Sequence, residues 1–307
     1  MPLRPLPVFE MFDRRGRSCG HLQPTVHLPP SLAPPIPGRT YGLLRDMRIL
    51  AVETVPTTVA SSTIGVLLLD QICSWPQVLE PWEQSIIEAA AQKLGLEPSR
   101  LDRDLLPIGL TLHLQRAAIH MVGDTLPVLD ELLVESALQH GVAVTALEPL
   151  GTTATALRDL PLGLQREALM ELCEVVLVDP DELLEQLQQL ADLATRAAYH
   201  AAAPSLLDPL GLGRFAPQLV HDRNPAIAAR IADMAEWCCG RVIFAVGAAH
   251  LPGPDGLCAL LAKHRISVER VRMSGRPVDL MDAWSDRLRH ELGRDRPKSM
   301  GTRGGAR

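Results

Sequence analysis

Residues 241–271 read RVIFAVGAAHLPGPDGLCALLAKHRISVERV, and this stretch decides the fold. Val242 to Val246 is apolar without alternation, as in a strand covered on both faces. Gly247-Ala248-Ala249-His250 follows at once, small residues and then an imidazole where the strand ends. Pro252, Gly253, Pro254 and Asp255 mark a turn and a helix start, and the pattern predicts a short helix over residues 255–264. Ile266 to Val271 alternates like a further strand. A strand, a tight turn, a helix and another strand form an α/β unit. His250 then stands just past the carboxyl end of a buried strand, where open α/β sheets place their binding crevices.

Working outward, the same grammar recurs. Ile49 to Glu53 (ILAVE) reads as a short strand ending in an acid. Gly141 to Glu148 (GVAVTALE) contains a strand over residues 142–147, followed by Glu148. A helix is expected over residues 124–140, with Asp124 or Thr125 as cap and Gly141 as stop. Residues 164–177 and 181–202 carry amphipathic helical patterns. The second of these reads as a helix covering the core, with a dimerisation helix as the alternative. Asn224-Pro225 looks like a helix cap followed by proline at the first helical position. Residues 57–122 look mainly helical, with breaks near Pro76, Gly95 and Pro107. The expected fold is therefore α/β, a central mostly parallel sheet with a large helical insertion between the first and last strands. Residues 1–17 are read as an irregular N-terminus, 18–285 as the α/β domain, and 286–307 as a basic disordered tail.

Composition narrows the function classes. The chain has 307 residues, 47% of them apolar, enough for a sizeable core. Only 3% are aromatic, so that core must be built from Leu, Val, Ile and Ala. The net charge of −6 argues against a nucleic-acid binder. The six cysteines show no C-x-x-C spacing and read as free thiols in a reducing compartment. The best apolar run, Ile64 to Leu69, is too short to span a membrane, and no signal-peptide core precedes it. A cytoplasmic protein is expected. There is no H-E-x-x-H helix, no phosphate-binding G-x-x-x-x-G-K-[ST] loop and no G-x-S-x-G elbow.

Several motifs together carry a resemblance. Gly247-x-x-His250 after an apolar strand, followed by Leu251-Pro252-Gly253-x-x-Gly256, resembles the C-terminal signature of the TraB/GumN family, which includes the Tiki metalloproteases and the pheromone-shutdown proteins. Asp222-Arg223-Asn224 resembles the family's Arg-Asn motif. Glu53 and Glu148 stand where the family has acidic strand ends, and Leu129-Asp130 where it has an Asp opening a helix. Thr25-Val26-His27-Leu28-Pro29 resembles the first of two Gly-x-x-His motifs, with Pro24 in the position of the glycine. Proline fixes φ near −65°, so a turn needing a positive φ there would displace His27, with His21 as the nearby stand-in.

The resemblance implies a metal-dependent hydrolase, acting on a peptide or a small molecule. His27, His250 and Glu53 are the implied ligands of a Mn, Co or Zn ion. Glu53 and Arg223 are the candidate catalytic residues, with Gly247, Glu148 and Asn224 in support. A metal site needs donors that converge from different parts of a fold, and strand-end side chains of one sheet can do that. Arg223 offers a planar two-pronged donor for a substrate carboxylate or for an acid of the site. Two alternatives stand beside this reading: a catalytically silent protein that binds a peptide or small ligand, and an accessory factor in plasmid transfer or peptide biosynthesis. A homo-oligomer is compatible with all three.

Overall fold

The computed structural model describes residues 5–55, 74–121, 128–199 and 217–271. The Ile64–Leu69 run, the residues expected to cap the helix at 124, and the tail after 271 lie outside the described residues. Among the described residues six strands form one open sheet: β1 (Phe9–Phe12), β2 (Ser18–Thr25), β3 (Ile49–Val52), β4 (Ala143–Ala146), β5 (Val242–Gly247) and β6 (Ser267–Arg270). Their order is β4-β3-β5-β2-β1-β6. The four strands β4, β3, β5 and β2 run parallel, and β1 is antiparallel to both β2 and β6. The expected mostly parallel α/β sheet is what the chain forms.

Burial explains the central position of β5. Val242, Ile243, Phe244, Ala245 and Val246 are all buried, although their side chains alternate between the two faces. Both faces must therefore be covered. Apolar side chains from Gly38–Asp46 (α1), Leu129–Gln139, Pro180–Tyr199 and Asn224–Cys238 join the same core. The intervening helices build a second apolar cluster. Trp75–Val78 (α2), Pro81–Lys93 (α3) and Pro107–Met121 (α4) contribute Trp75, Ile87, Ile108 and Leu114 to it. After Leu129–Gln139 (α5) come Thr152–Arg158 (α6) and Leu162–Val178 (α7), and α7 adds Leu169 and Val176. Pro180–Tyr199 (α8) turns Leu187, Leu190, Ala191 and Ala194 inward, so it covers the core as expected. Asn224–Cys238 (α9) packs on the short helix Leu257–Lys263 (α10). Among the described residues no helix is long and apolar enough to cross a membrane.

Three local expectations are corrected. Residues 1–17, read as irregular, contain β1. Its FEMF sequence has no clean alternation, and the strand exists because it fills the place between β2 and β6. Asp13 shapes the turn that joins β1 to β2: its carboxylate accepts the backbone N–H groups of Arg15 and Arg17 and pairs with the Arg17 guanidinium. The helix expected from residue 124 begins at Leu129, where Glu131 accepts the Val128 N–H, and Gly141 (φ +70°) ends it as expected. Asn224 is not a helix cap. Arg223 before it is already helical and the turn Pro217–His221 leads straight in, so no extended cap position exists.

Since β5 supplies the sheet's central packing, Phe244→Ala is expected to lower stability by about 3–5 kcal/mol. Val178, which is 74% exposed, serves as the control, and Val178→Ala is expected to stay within about 0.5 kcal/mol. Urea denaturation measures both. Equal midpoints for the two variants would mean that β5 does not carry the core.

Candidate functional site

Parallel strands deliver their carboxyl ends to one edge, and register decides which residues meet there. Val52 pairs with Ala146 on one side and Ala245 on the other, while Thr25 pairs with Gly247. The ladder between β3 and β4 continues past the strands, because the Leu147 N–H donates to the Val52 carbonyl (2.7 Å) and the Glu148 N–H to that of Glu53 (3.2 Å). Glu53 and Glu148 therefore project side by side. Two neighbouring carboxylates repel, and Arg223, just before α9, resolves this.

Its guanidinium is shared. Nε donates to Glu148 Oε1 (3.0 Å) and Nη2 to Glu148 Oε2 in a two-pronged pair. Nη2 also donates to Glu53 Oε2 (3.0 Å), and Nη1 to the Leu219 carbonyl (2.6 Å). These contacts use four of the five N–H donors of the side chain. Burial disfavours the charged guanidinium, but Glu148 and Glu53 reverse that and hold Arg223 above its ordinary value. Burial likewise favours a neutral Glu53, yet His250, Arg223 and His27 together hold its carboxyl well below the usual range.

The other face of Glu53 meets the turn after β5. Its Oε1 accepts the Gly247 N–H at 2.5 Å, and its Oε2 lies 3.4 Å from His250 Nε2. A side chain at position 247 would crowd this contact, because a Cβ there would sit 3.1 Å from Glu53 Oε1. His250 ends a single helical turn, Ala248–His250, and is buried. Its Nδ1 lies 2.6 Å from Asn224 Oδ1. Asn224 Nδ2 donates to the Asp255 carbonyl (2.7 Å) and, at longer range, to that of His250 (3.4 Å).

His27 stands apart from this network. It follows the end of β2, its side chain is 68% exposed, and its Nδ1 lies 3.1 Å from Asp130 Oδ2. The Asp130 carboxylate, with a smaller contribution from Glu53, lifts its pKa to about 9. Of the expected trio, Glu53 and His250 meet, and His27 is within electrostatic range of Glu53 without joining it. Among the described residues no group of three or more His, Cys, Asp or Glu side chains is arranged to hold a metal ion.

Pro24 causes no break, since it lies inside β2 opposite Val246 and the strand runs on to Thr25. A positive φ is not required there. His21 is no stand-in for His27: it sits mid-strand opposite Ile243, four residues before Thr25, which is roughly 13 Å at strand rise. A cavity of about 790 Å³ opens at the opposite end of β2, lined by Arg14, Arg15, Cys19, Asp233 and Arg265 among others, away from the cluster just described. Sequence reasoning missed the pairing of Asp130 with His27 and of Asn224 with His250. An acid in a first helical turn and an Asn before a Pro each have an ordinary local explanation, which hid the longer reach of both.

The TraB/PrgY/gumN family profile matches residues 12–270, from the last residue of β1 to the last of β6, and the chain belongs to that family. No curated protein and no solved structure matches it.

The direction of the Glu53 shift sets an acid dependence. Its folded pKa lies below the unfolded value of about 4.3, so its contribution is present above that pH and is lost as pH falls through the folded value. Glu53→Gln keeps the shape but removes the charge that Arg223 faces. The variant is expected to lose about 1–3 kcal/mol at neutral pH and to show a flatter decline of stability in acid. Denaturant titrations from pH 7 downward read this, and an unchanged acid slope would remove Glu53 as its source.

Proposed function

We propose that the protein is a metal-dependent hydrolase that cleaves a peptide bond with a metal-activated water. The observation that carries the reading is the Glu53–His250 pair, oriented from behind by Gly247, Arg223 and Asn224 at the carboxyl edge of a parallel sheet. Family membership supports the same direction.

Two imidazoles and a carboxylate are donor types that suit a divalent ion, although among the described residues they do not converge to hold one. His27 and His250 each turn Nδ1 toward an oxygen, Asp130 Oδ2 and Asn224 Oδ1, which is how metal-binding imidazoles are usually oriented. Glu53, Glu148 and Arg223 together leave one net negative charge beside the two rings, which favours a cation. His27, His250 and Glu53 would hold it, and a mixed set of nitrogen and oxygen donors accepts Mn, Co or Zn. The ion supplies a bound water of lowered pKa.

The chain's own residues do the rest. Glu53, kept ionised far below neutral pH, is available as an anionic ligand and is a weak proton acceptor, since a good general base has a pKa near the working pH. Arg223 has most of its donors committed to Glu148, Glu53 and Leu219, which favours positioning the acids over binding a substrate carboxylate. Glu148 holds the guanidinium at the angle that reaches Glu53.

A second reading has its own observation. His27 is exposed and paired with Asp130 away from Glu53, a geometry equally compatible with a silent protein that binds a peptide or small ligand at this edge.

Elemental analysis and peptide digestion together separate the two. Wild type is expected to retain about one transition metal per chain and His250→Ala to lose it; equal retention removes His250 from the site. Digestion of a peptide library with added Mn²⁺, Co²⁺ or Zn²⁺, read by mass spectrometry with a chelator control, tests hydrolysis. Cleavage that stops with chelator supports the enzyme. Tight metal binding with no cleavage of any peptide favours the silent protein.

A further inference from the structure

Asn224 is fully buried, and its amide makes three contacts, all within the turn that follows β5. Two of them are to backbone carbonyl oxygens, of Asp255 at 2.7 Å and His250 at 3.4 Å. A carbonyl oxygen only accepts, so the amide nitrogen must face both. The amide oxygen is then the atom 2.6 Å from His250 Nδ1, and it also only accepts. Nδ1 must therefore carry the hydrogen. In the neutral ring this leaves a lone pair on Nε2, the atom 3.4 Å from Glu53 Oε2, whereas in the protonated ring both nitrogens carry hydrogen and Nε2–H faces the carboxylate.

We infer that Asn224 is a positioning residue that fixes the His250 ring with its hydrogen on Nδ1 and its lone pair on Nε2, and that ties the 250–255 turn to the start of α9. The choice of Asn has a chemical logic. A Ser could accept from Nδ1 but has one donor for two carbonyls. An Asp could accept but could donate to neither while ionised. An Asn does both at once and adds no charge beside Glu53. The turn it grips is tightly wound: a Cβ on Gly256 would lie 2.2 Å from the Pro252 carbonyl oxygen, and Gly253 has φ +85°. The side-chain amide anchors this turn to the start of α9, and the ring cannot rotate away from Glu53 without breaking its contact with Asn224 Oδ1.

The inference deepens the proposed function and rests on His250 acting through Nε2, while the tautomer itself needs no metal. Nitrogen NMR on the metal-free full chain, labelled in its imidazoles, reads the tautomer directly at a pH where the His250 ring is neutral. Its signals are assigned by their loss in His250→Gln. Wild type is expected to show the hydrogen on Nδ1. Asn224→Ala is expected to shift the ring toward the Nε2–H form, and Asn224→Asp to keep the Nδ1–H form while amide exchange in residues 251–256 accelerates. Zn²⁺ affinity by calorimetry is expected to fall about 10–100-fold in Asn224→Ala.

A wild-type ring with its hydrogen on Nε2 overturns the inference, and this measurement needs no variant to fold. An unchanged tautomer in Asn224→Ala, or unchanged Zn²⁺ affinity where wild type binds Zn²⁺, overturns it too. If the tautomers behave as stated and no protein binds any metal, the positioning role of Asn224 stands and the metal-dependent reading fails.

Discussion

Two carboxylates from adjacent strand ends cannot both stay ionised in a buried place without a cation between them, and Arg223 is that cation. The rest of the site depends on this. With the guanidinium in place Glu53 stays charged, and its charge then draws in the Gly247 N–H and faces His250. Removing the guanidinium would leave Glu53 and Glu148 repelling each other in a region that water does not easily reach. Burying three charges in this way is costly, and a well-packed apolar cluster of the same volume would often be as stable or more so. A chain that nonetheless retains such a cluster at the carboxyl edge of its sheet is spending stability on the arrangement of polar groups.

The two histidines have different partners. Asn224 is neutral and orients His250 without adding charge, whereas Asp130 brings a full negative charge to His27 and lifts it to about 9. One ring is buried in the clamped turn and the other lies open to solvent. That asymmetry follows from the fold. The turn after β5 is anchored from α9 at two carbonyls, while the segment after β2 is tied to α5 through the Leu129 N–H on the Leu28 carbonyl and through the Asp130 contact with His27.

Much of this was legible in the residues themselves. The apolar run of β5, the acids after β3 and β4, the stop at Gly141 and the inward stripe of α8 are properties of contiguous residues, and local periodicity reports them well. Three features were not legible. β1 lacks a strand pattern because its place is decided by the pairing needs of β2 and β6. Pro24 looks disruptive in isolation and yet lies within β2, whose ladder continues past it to Thr25. Asn224 looks like a cap, because the local rule sees Asn-Pro and cannot see His250.

The sequence by itself determined which residue types stand at the ends of the parallel strands and in what order along the chain, because burial on both faces dictates apolar runs and turns dictate small residues. Only the tertiary structure decided which of them touch. Arg223 reaches Glu148 across 75 positions and Glu53 across 170, and Asn224 reaches His250 across 26. Such contacts leave no periodic trace, because each is set by how β3, β4 and β5 align and by where α9 begins.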